Sequence, residues 1–197
     1  MTDAPRLTGV AVSDPPGAWR AAGFVVDADR FTVGGVTIVG ADAGVTPRIA
    51  LAPPVDGVVD GVAFGAVADA VSQASHPNRV RAVDHVAVHT GDLDRTVDAF
   101  AVHGLHPRRT AEDLRAGEGR RYAFYVVGTC VLEVVAPTVA HPGRAAVTGV
   151  AFTADDLDHL PTLRGAVRPA VQPGRSIAVL DTEALGLGMR VAVLTPR

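Results

Sequence analysis

Residues 83–90, with the sequence VDHVAVHT, alternate between apolar and polar side chains as a half-buried β-strand does. Neighbouring side chains of an extended strand point to opposite faces. The alternation therefore predicts that His85, Ala87 and His89 share one face, while Asp84 lies on the other face with the valines. An amphipathic helix over residues 91–103 is predicted to follow, because its apolar residues recur at helical spacing.

The same order of elements is predicted twice between residues 82 and 197. Each unit reads as strand, helix, extended segment and two further strands, and each ends at a proline. The unit openings DHVAVHTGDLD and TGVAFTADDLD align, as do the unit ends VLEVVAP and RVAVLTP. We therefore predict an α+β fold with a βαβββ unit made twice. In the second unit, Asp155 and Asp156 are predicted to cap a short helix that ends near residue 163.

The first third of the chain carries weaker copies of the strand openings, LTGVAVSDPP and PRIALAPP. Residues 1–70 are either a degenerate, shrunken version of the paired unit or a hairpin-rich cap with chance similarity. A strand at residues 24–27 and a helix capped by Asp14 are predicted here. Residues 71–81 are predicted to be a linker to a paired domain at residues 82–197, because this stretch is polar, small and interrupted by proline.

Composition narrows the chemistry. Hydrophobic residues make up 48% of the chain and charged residues 20%, with a net charge of −3, so we expect a globular protein without a nucleic-acid partner. All 18 basic residues are arginines, which excludes a lysine Schiff base. The single cysteine, Cys130, excludes an intrachain disulfide and reads as a buried hydrophobe, with a catalytic cysteine as the alternative. No signal peptide or membrane-length apolar run occurs, so a soluble cytoplasmic protein is expected.

The paired unit that opens with DHVAV, continues with DLDRTVDAF and closes with LEVV resembles the vicinal oxygen chelate superfamily, which includes glyoxalases, bleomycin-resistance proteins and extradiol dioxygenases. The resemblance covers residues 82–197 well and residues 1–70 loosely. It implies that paired units curl into a cupped mixed sheet around a cavity. It also implies metal ligands on the first and last strands of each unit, for a divalent ion such as Fe, Mn, Zn or Ni.

Carried over residue by residue, the resemblance makes His85 the first-strand ligand and Glu133 the last-strand ligand. The matching positions of the second unit are Gly149 and Ala192, which offer no side-chain ligand, and the N-terminal copy has Gly9. Two ligands fall short of the three that such ions normally take from a protein. His89 lies about 13 Å beyond His85 along an extended strand, too far to share one ion without a bulge. His106 and His141 are candidates for a third ligand from a loop.

The same two residues also allow a reading without metal, in which Glu133 orients the His85 imidazole as an acid–base or ligand-binding pair. A solvent-facing Glu133 on an edge strand is the alternative.

Further candidates for the cavity lining are His89, Tyr122, Phe124 and Arg175. Tyr122 and Phe124 share one strand face, which either lines the cavity or packs in the core. Arg175 either binds a substrate carboxylate or phosphate or is a solvated turn residue, and residues 111–119 are predicted to be a charged loop that could act as a lid.

Two functions remain open. In the first, the protein is a metal-dependent lyase, isomerase or dioxygenase that acts on a small oxygenated metabolite through His85 and Glu133. In the second, the protein keeps the cavity for non-catalytic binding or sequestration of a small molecule. We expect a small-molecule ligand in both cases and no membrane partner, and repeat units of this size also allow a homodimer.

Overall fold

A computed structural model describes residues 4–41, 44–114 and 119–196. The first third of the chain forms a six-stranded mixed sheet in the order β2-β3-β1-β4-β6-β5. Its elements are β1 (Arg6–Val12), α1 (Pro16–Ala21), β2 (Arg30–Val33), β3 (Val36–Gly40), β4 (Arg48–Ala52), β5 (Gly57–Val59) and β6 (Val62–Phe64).

The rest of the chain forms an eight-stranded mixed sheet in the order β12-β13-β14-β11-β7-β10-β9-β8. Its elements are β7 (Val80–His89), α2 (Leu93–Val102), β8 (Arg109–Asp113), β9 (Arg120–Val127), β10 (Cys130–Pro137), β11 (Ala146–Ala154), β12 (Arg168–Pro169), β13 (Ser176–Val179), α3 (Thr182–Leu185) and β14 (Arg190–Leu194). None of the helices described is long and apolar enough to cross a membrane.

The predicted repeat is present in the pairing of the strands. In the larger sheet, β7 and β11 pair antiparallel at the centre, and each pairs parallel with the last strand of its own unit, β10 or β14. In the smaller sheet, β1 and β4 pair antiparallel at the centre and run parallel to β3 and β6. The smaller sheet therefore repeats the arrangement with one strand fewer on each side, which confirms a degenerate N-terminal pair of units.

Several local predictions are wrong. Residues 155–163 form turns instead of a helix, because Pro161 removes a backbone N–H and would clash inside so short a helix. Residues 24–27 contribute one isolated bridge instead of a strand. Asp14 does not cap α1: its carboxylate accepts hydrogen bonds from the backbone N–H groups of Gly188 and Met189. The predicted loop at 111–119 begins as the last residues of β8, and its residues 115–118 lie outside the described chain.

An aromatic cluster joins the two sheets. Phe152 on β11 lies 5.0 Å from Phe24 and 6.3 Å from Trp19, measured between ring centroids. Trp19 and Phe152 are completely buried, and Phe24 is nearly so. Burial of aromatic rings of this size contributes strongly to stability. The first third of the chain therefore packs directly against the central strands of the larger sheet.

The segment after β6 covers one face of the smaller sheet. A side chain at Gly9 would lie 2.1 Å from Cγ2 of Val67, and the hydroxyl of Thr32 donates to the carbonyl of Val71. His76 ends the covering segment, and its buried ring accepts a hydrogen bond from the Val25 N–H at 3.1 Å. The first-strand position at Gly9 is thus filled by the chain itself.

Replacement of His76 with leucine is expected to destabilise the protein by about 1–3 kcal/mol at pH 7.5, because the Val25 N–H loses its buried acceptor. Burial lowers the pKa of His76 from 6.5, so the neutral ring stabilises the fold above that pH and its contribution is lost as the pH falls. Urea unfolding at pH 7.5 and 5 measures the penalty, which should shrink at pH 5. The same substitution at the exposed His106 is the control, and equal penalties at both pH values would contradict the prediction.

Candidate functional site

A β-bulge in β7 places Asp84 and His85 on the same face of the larger sheet. His85 pairs with Ala151 of β11, and Val83 pairs with the next residue, Phe152, so Asp84 is an extra residue without a partner. Such a bulge breaks the alternation of side chains locally. The prediction that Asp84 faces away from His85 is therefore wrong.

The bulge recurs in the first strand of other units. In β1, Leu7 and Gly9 pair with adjacent residues of β4, so Thr8 is extra. In β11, Thr148 is extra in the same way, immediately before Gly149. Each extra residue is polar and directly precedes the position that corresponds to His85. The sequence signal for Asp84 was thus present in the aligned openings LTG, VDH and VTG, but alternation alone could not show it.

A chain of charged hydrogen bonds runs from the bulge to a buried arginine. The His85 Nδ1 lies 2.9 Å from Oδ1 of Asp84, and Nη2 of Arg175 donates to Oδ2 of the same carboxylate at 2.7 Å. Arg175 also donates from Nε to the carbonyl of Thr195 at 2.7 Å, and from Nη1 to the side chain of Gln172. Only 2% of the Arg175 side chain is exposed. Arg175 is therefore a buried residue that holds Asp84 and not a solvated turn residue, and it also lines the cavity beside His85.

These contacts fix which ring nitrogen of the histidine carries the proton in its neutral form. Burial alone would raise the pKa of Asp84, but the hydrogen bonds from His85 and Arg175 outweigh burial and lower this pKa to about 2. An ionised carboxylate only accepts hydrogen bonds, so Nδ1 of His85 carries the proton. In the neutral ring, Nε2 then presents its lone pair on the side away from Asp84.

Glu133 lies on β10, the parallel neighbour of β7, and faces the same side as His85. Its Oε2 is 3.9 Å from Nε2 of His85, too long for a hydrogen bond. Burial raises the pKa of Glu133, and the attraction of His85 offsets only part of that rise. The two groups therefore stand next to each other without being bonded, and a reacting atom could contact both.

The two groups open into a cavity of about 590 Å³ on the concave side of the sheet, which adjoins a lobe of about 370 Å³. Tyr122 and Phe124 line the lobe, with rings stacked at 5.9 Å and 6° apart, whereas Ala123 and Tyr125 on the opposite face are buried in the core. The guanidinium of Arg109 lies 4.8 Å from the Phe124 ring centroid. Both spaces also share Asp84, His85 and Glu133 in their lining.

The donor set does not fit a divalent metal. A site would need a third ligand near His85 and Glu133, but the matching positions of the second unit are Gly149 and Ala192. His89 and His141 line a different cavity, and His106 lines neither space around Glu133. Asp84 has both carboxylate oxygens engaged by His85 and Arg175. Within the described ranges, no group of three or more His, Cys, Asp or Glu side chains is arranged to hold a metal ion.

Cys130 lies outside this site. It is buried at the start of β10, and its thiol donates to the carbonyl of Val83 at 3.2 Å. Burial raises the pKa of this thiol, which disfavours the nucleophilic thiolate. The interpretation as a small buried hydrophobe agrees with this environment.

Replacement of Glu133 with glutamine is expected to raise the midpoint of thermal unfolding at pH 7.5. The pKa of Glu133 is raised above 4.5 in the fold, so its contribution to stability is greatest below that pH and is lost as the pH rises. The uncharged amide avoids burial of a charge, and its advantage should shrink at pH 4. The exposed Glu183 gives the control, because Glu183→Gln should bring no such gain. A fall in the midpoint at pH 7.5 would show that the carboxylate is well stabilised.

Comparison with solved structures identifies the fold. No family model and no curated protein matches the sequence. A variant of 4-hydroxymandelate synthase from Streptomyces coelicolor is 14% identical with a TM-score of 0.66, and the match covers 98% of this chain and 92% of that one. A fusion protein of a xylose isomerase-like TIM barrel and 4-hydroxyphenylpyruvate dioxygenase is 11% identical, with a TM-score of 0.62 over 98% of this chain and 49% of its own. The chain has the vicinal oxygen chelate fold, as its sequence motifs suggested.

Proposed function

We propose that the protein catalyses proton transfer next to the carbonyl group of a small carboxylate, an isomerase-type reaction, with His85 and Glu133 as the acid–base pair. The observation that carries the proposal is the chain Arg175–Asp84–His85, which ends 3.9 Å from the carboxyl of Glu133 inside a cavity. Two adjacent titratable groups with different environments are the usual basis of such chemistry.

The roles follow from the hydrogen bond between His85 and Asp84 and from the burial of Glu133. Nε2 of His85 accepts a proton from the carbon next to the substrate carbonyl, while Asp84 stabilises the imidazolium that forms. In its protonated form, which the raised pKa makes accessible at higher pH than for an ordinary glutamate, the carboxyl of Glu133 donates its proton to the carbonyl oxygen, and the product is the enol. Return of a proton to carbon regenerates both residues. No step requires a metal ion or an oxidant.

The lining of the cavity favours an aryl substrate with an acid group. The stacked rings of Tyr122 and Phe124 offer an aromatic wall, and the guanidinium of Arg109 lies beside that wall. Arg108 lines the same cavity. Arginine is well suited to bind a carboxylate through paired hydrogen bonds. An aryl 2-oxo acid combines these features, and the name of one structural neighbour refers to such a compound, 4-hydroxyphenylpyruvate.

The test follows exchange of the carbon-bound C3 protons of 4-hydroxyphenylpyruvate in D2O by proton NMR. Purified protein is expected to accelerate the exchange well above the buffer rate, with saturation in substrate. Treatment with EDTA should leave the rate unchanged, whereas loss of the rate on chelation and its return with Fe, Mn, Zn or Ni would support the metal-dependent alternative. Saturable binding without exchange would refute the catalytic proposal and support sequestration of a small molecule.

A further inference from the structure

The concave face continues beyond His85 into two further cavities. A cavity of about 430 Å³ shares His85 with the first one and extends to His89. A cavity of about 530 Å³ shares His89 and Thr148 with it and reaches His141. His85 and His89 are four residues apart on one strand, or about 13 Å. These two spaces, called here the distal channel, are therefore long enough for an extended ligand.

The distal channel differs in charge from the site around Glu133. Four arginines line it, and no described residue of its lining is an aspartate or a glutamate; the arginines are Arg120, Arg144, Arg164 and Arg190. The protein as a whole carries a net charge of −3, so this concentration of positive charge is local. Asp60 lies 3.8 Å from Arg144 but is already bonded to Arg95 and Thr96. Asp113 is the cross-strand partner of Arg120.

The floor of the channel consists of small residues. Ala87 pairs with Gly149, and Ala151 pairs with Ala192, so four positions without bulky side chains lie side by side on β7, β11 and β14. Gly149 and Ala192 are the two positions where the second unit lacks ligand residues. Their small size leaves the path from His85 to His89 open.

We propose that the distal channel binds the phosphate group of an elongated ligand whose carbonyl end lies at His85 and Glu133. Four arginines on a lining in which no described residue is acidic favour a doubly charged oxyanion, and the small floor accommodates the body of the ligand. The ligand chemistry at the carbonyl end rests on the proposed function, but the phosphate site stands on the charges and shape of the channel. The distal channel therefore extends the site from small carbonyl compounds to those that carry a phosphate on a tail.

The experiment measures binding of inorganic phosphate, pyrophosphate and hexyl phosphate by isothermal titration calorimetry. Pyrophosphate should bind, and the double variant Arg120→Gln/Arg190→Gln should weaken that binding at least tenfold. Arg109→Gln at the first cavity and Arg6→Gln on the exposed start of β1 are matched controls and should change it less than twofold. If Arg109→Gln weakens pyrophosphate binding more than the double variant does, the anion lies in the first cavity and the proposal is overturned. Equal weakening by Arg6→Gln, or no binding of pyrophosphate at all, would also overturn it.

Hexyl phosphate distinguishes a ligand tail from a free anion. Its alkyl chain can lie on the small floor, so it should bind at least tenfold more tightly than inorganic phosphate. Equal affinities would mean that the site binds phosphate ions alone, and would overturn the assignment of a tail. These titrations need no turnover, so phosphate binding without proton exchange would refute the proposed function and leave the distal channel intact.

Discussion

Replacement of Arg175 with methionine is expected to destabilise the protein by about 3–5 kcal/mol at neutral pH, because the change leaves the buried carboxylate of Asp84 without its arginine partner and with His85 alone. The substitution also removes the hydrogen bonds to the Thr195 carbonyl and to the side chain of Gln172. Urea unfolding at pH 7 measures the loss. The control is Arg79→Met, which breaks an ion pair with Asp156 whose arginine is 55% exposed, and which should cost at most about 1 kcal/mol.

The dependence of this effect on pH is a second check. The pKa of Asp84 is lowered from 3.8 to about 2, so its ionised form stabilises the fold above pH 4 by an amount on the order of 2 kcal/mol, which is lost as the pH falls towards 2. The gap between wild type and Arg175→Met should narrow over that range. Adding Asp84→Asn to Arg175→Met should recover part of the lost stability. A penalty below 1 kcal/mol for Arg175→Met would mean that Asp84 finds another partner.

Replacement of His85 with asparagine is expected to lower the rate of C3 proton exchange in 4-hydroxyphenylpyruvate by about 10²–10⁴-fold, since the variant lacks the base. This corresponds to a barrier higher by about 3–5 kcal/mol. The rate constant should fall much more than the affinity for the substrate, because the rings of Tyr122 and Phe124 and the guanidinium of Arg109 remain in place. Proton NMR in D2O gives both quantities from the dependence of the rate on concentration.

The matched control for this substitution is His106→Asn, at an exposed position outside the cavity around Glu133. Asp84→Asn tests the orienting role of Asp84 separately from the base, because the variant keeps His85 but no longer fixes the proton on Nδ1. That variant should lower the rate and change its pH profile while binding the substrate normally. Full exchange activity in His85→Asn would contradict the assignment of the base.

The fold was predictable because it is repeated. Similar openings and endings recur in the same order, and they led to the paired units, the fold family and even the reduced N-terminal pair. Local breaks of pattern could not be predicted in the same way. The bulge at Asp84 depends on hydrogen bonding to β11, which no alternation rule contains. The missing helix at 155–163 depends on Pro161, whose effect outweighed the spacing of the leucines.

The candidate site was predicted in part for the same reason. His85 and Glu133 follow from their positions in the repeat, and the structure brings them within 3.9 Å. Asp84, and not Glu133, holds the imidazole, because its carboxylate bonds to Nδ1 while the Glu133 carboxyl stands 3.9 Å from Nε2. The role of Arg175 depends on a contact between residues 91 positions apart in the sequence. Such contacts are set by the packing of whole strands, so a single sequence gives no sign of them.

The aromatic cluster behind β11 has a consequence for how the activity could change over generations. Phe152 pairs with Val83, next to the bulge that presents Asp84 and His85, and it rests on Phe24 and Trp19 from the first third of the chain. Substitutions at Phe24 or Trp19 can therefore shift the reacting groups without touching the ligand. Laboratory evolution for a new substrate should therefore select substitutions in this buried aromatic cluster, and their benefit should depend on which residues already line the cavity.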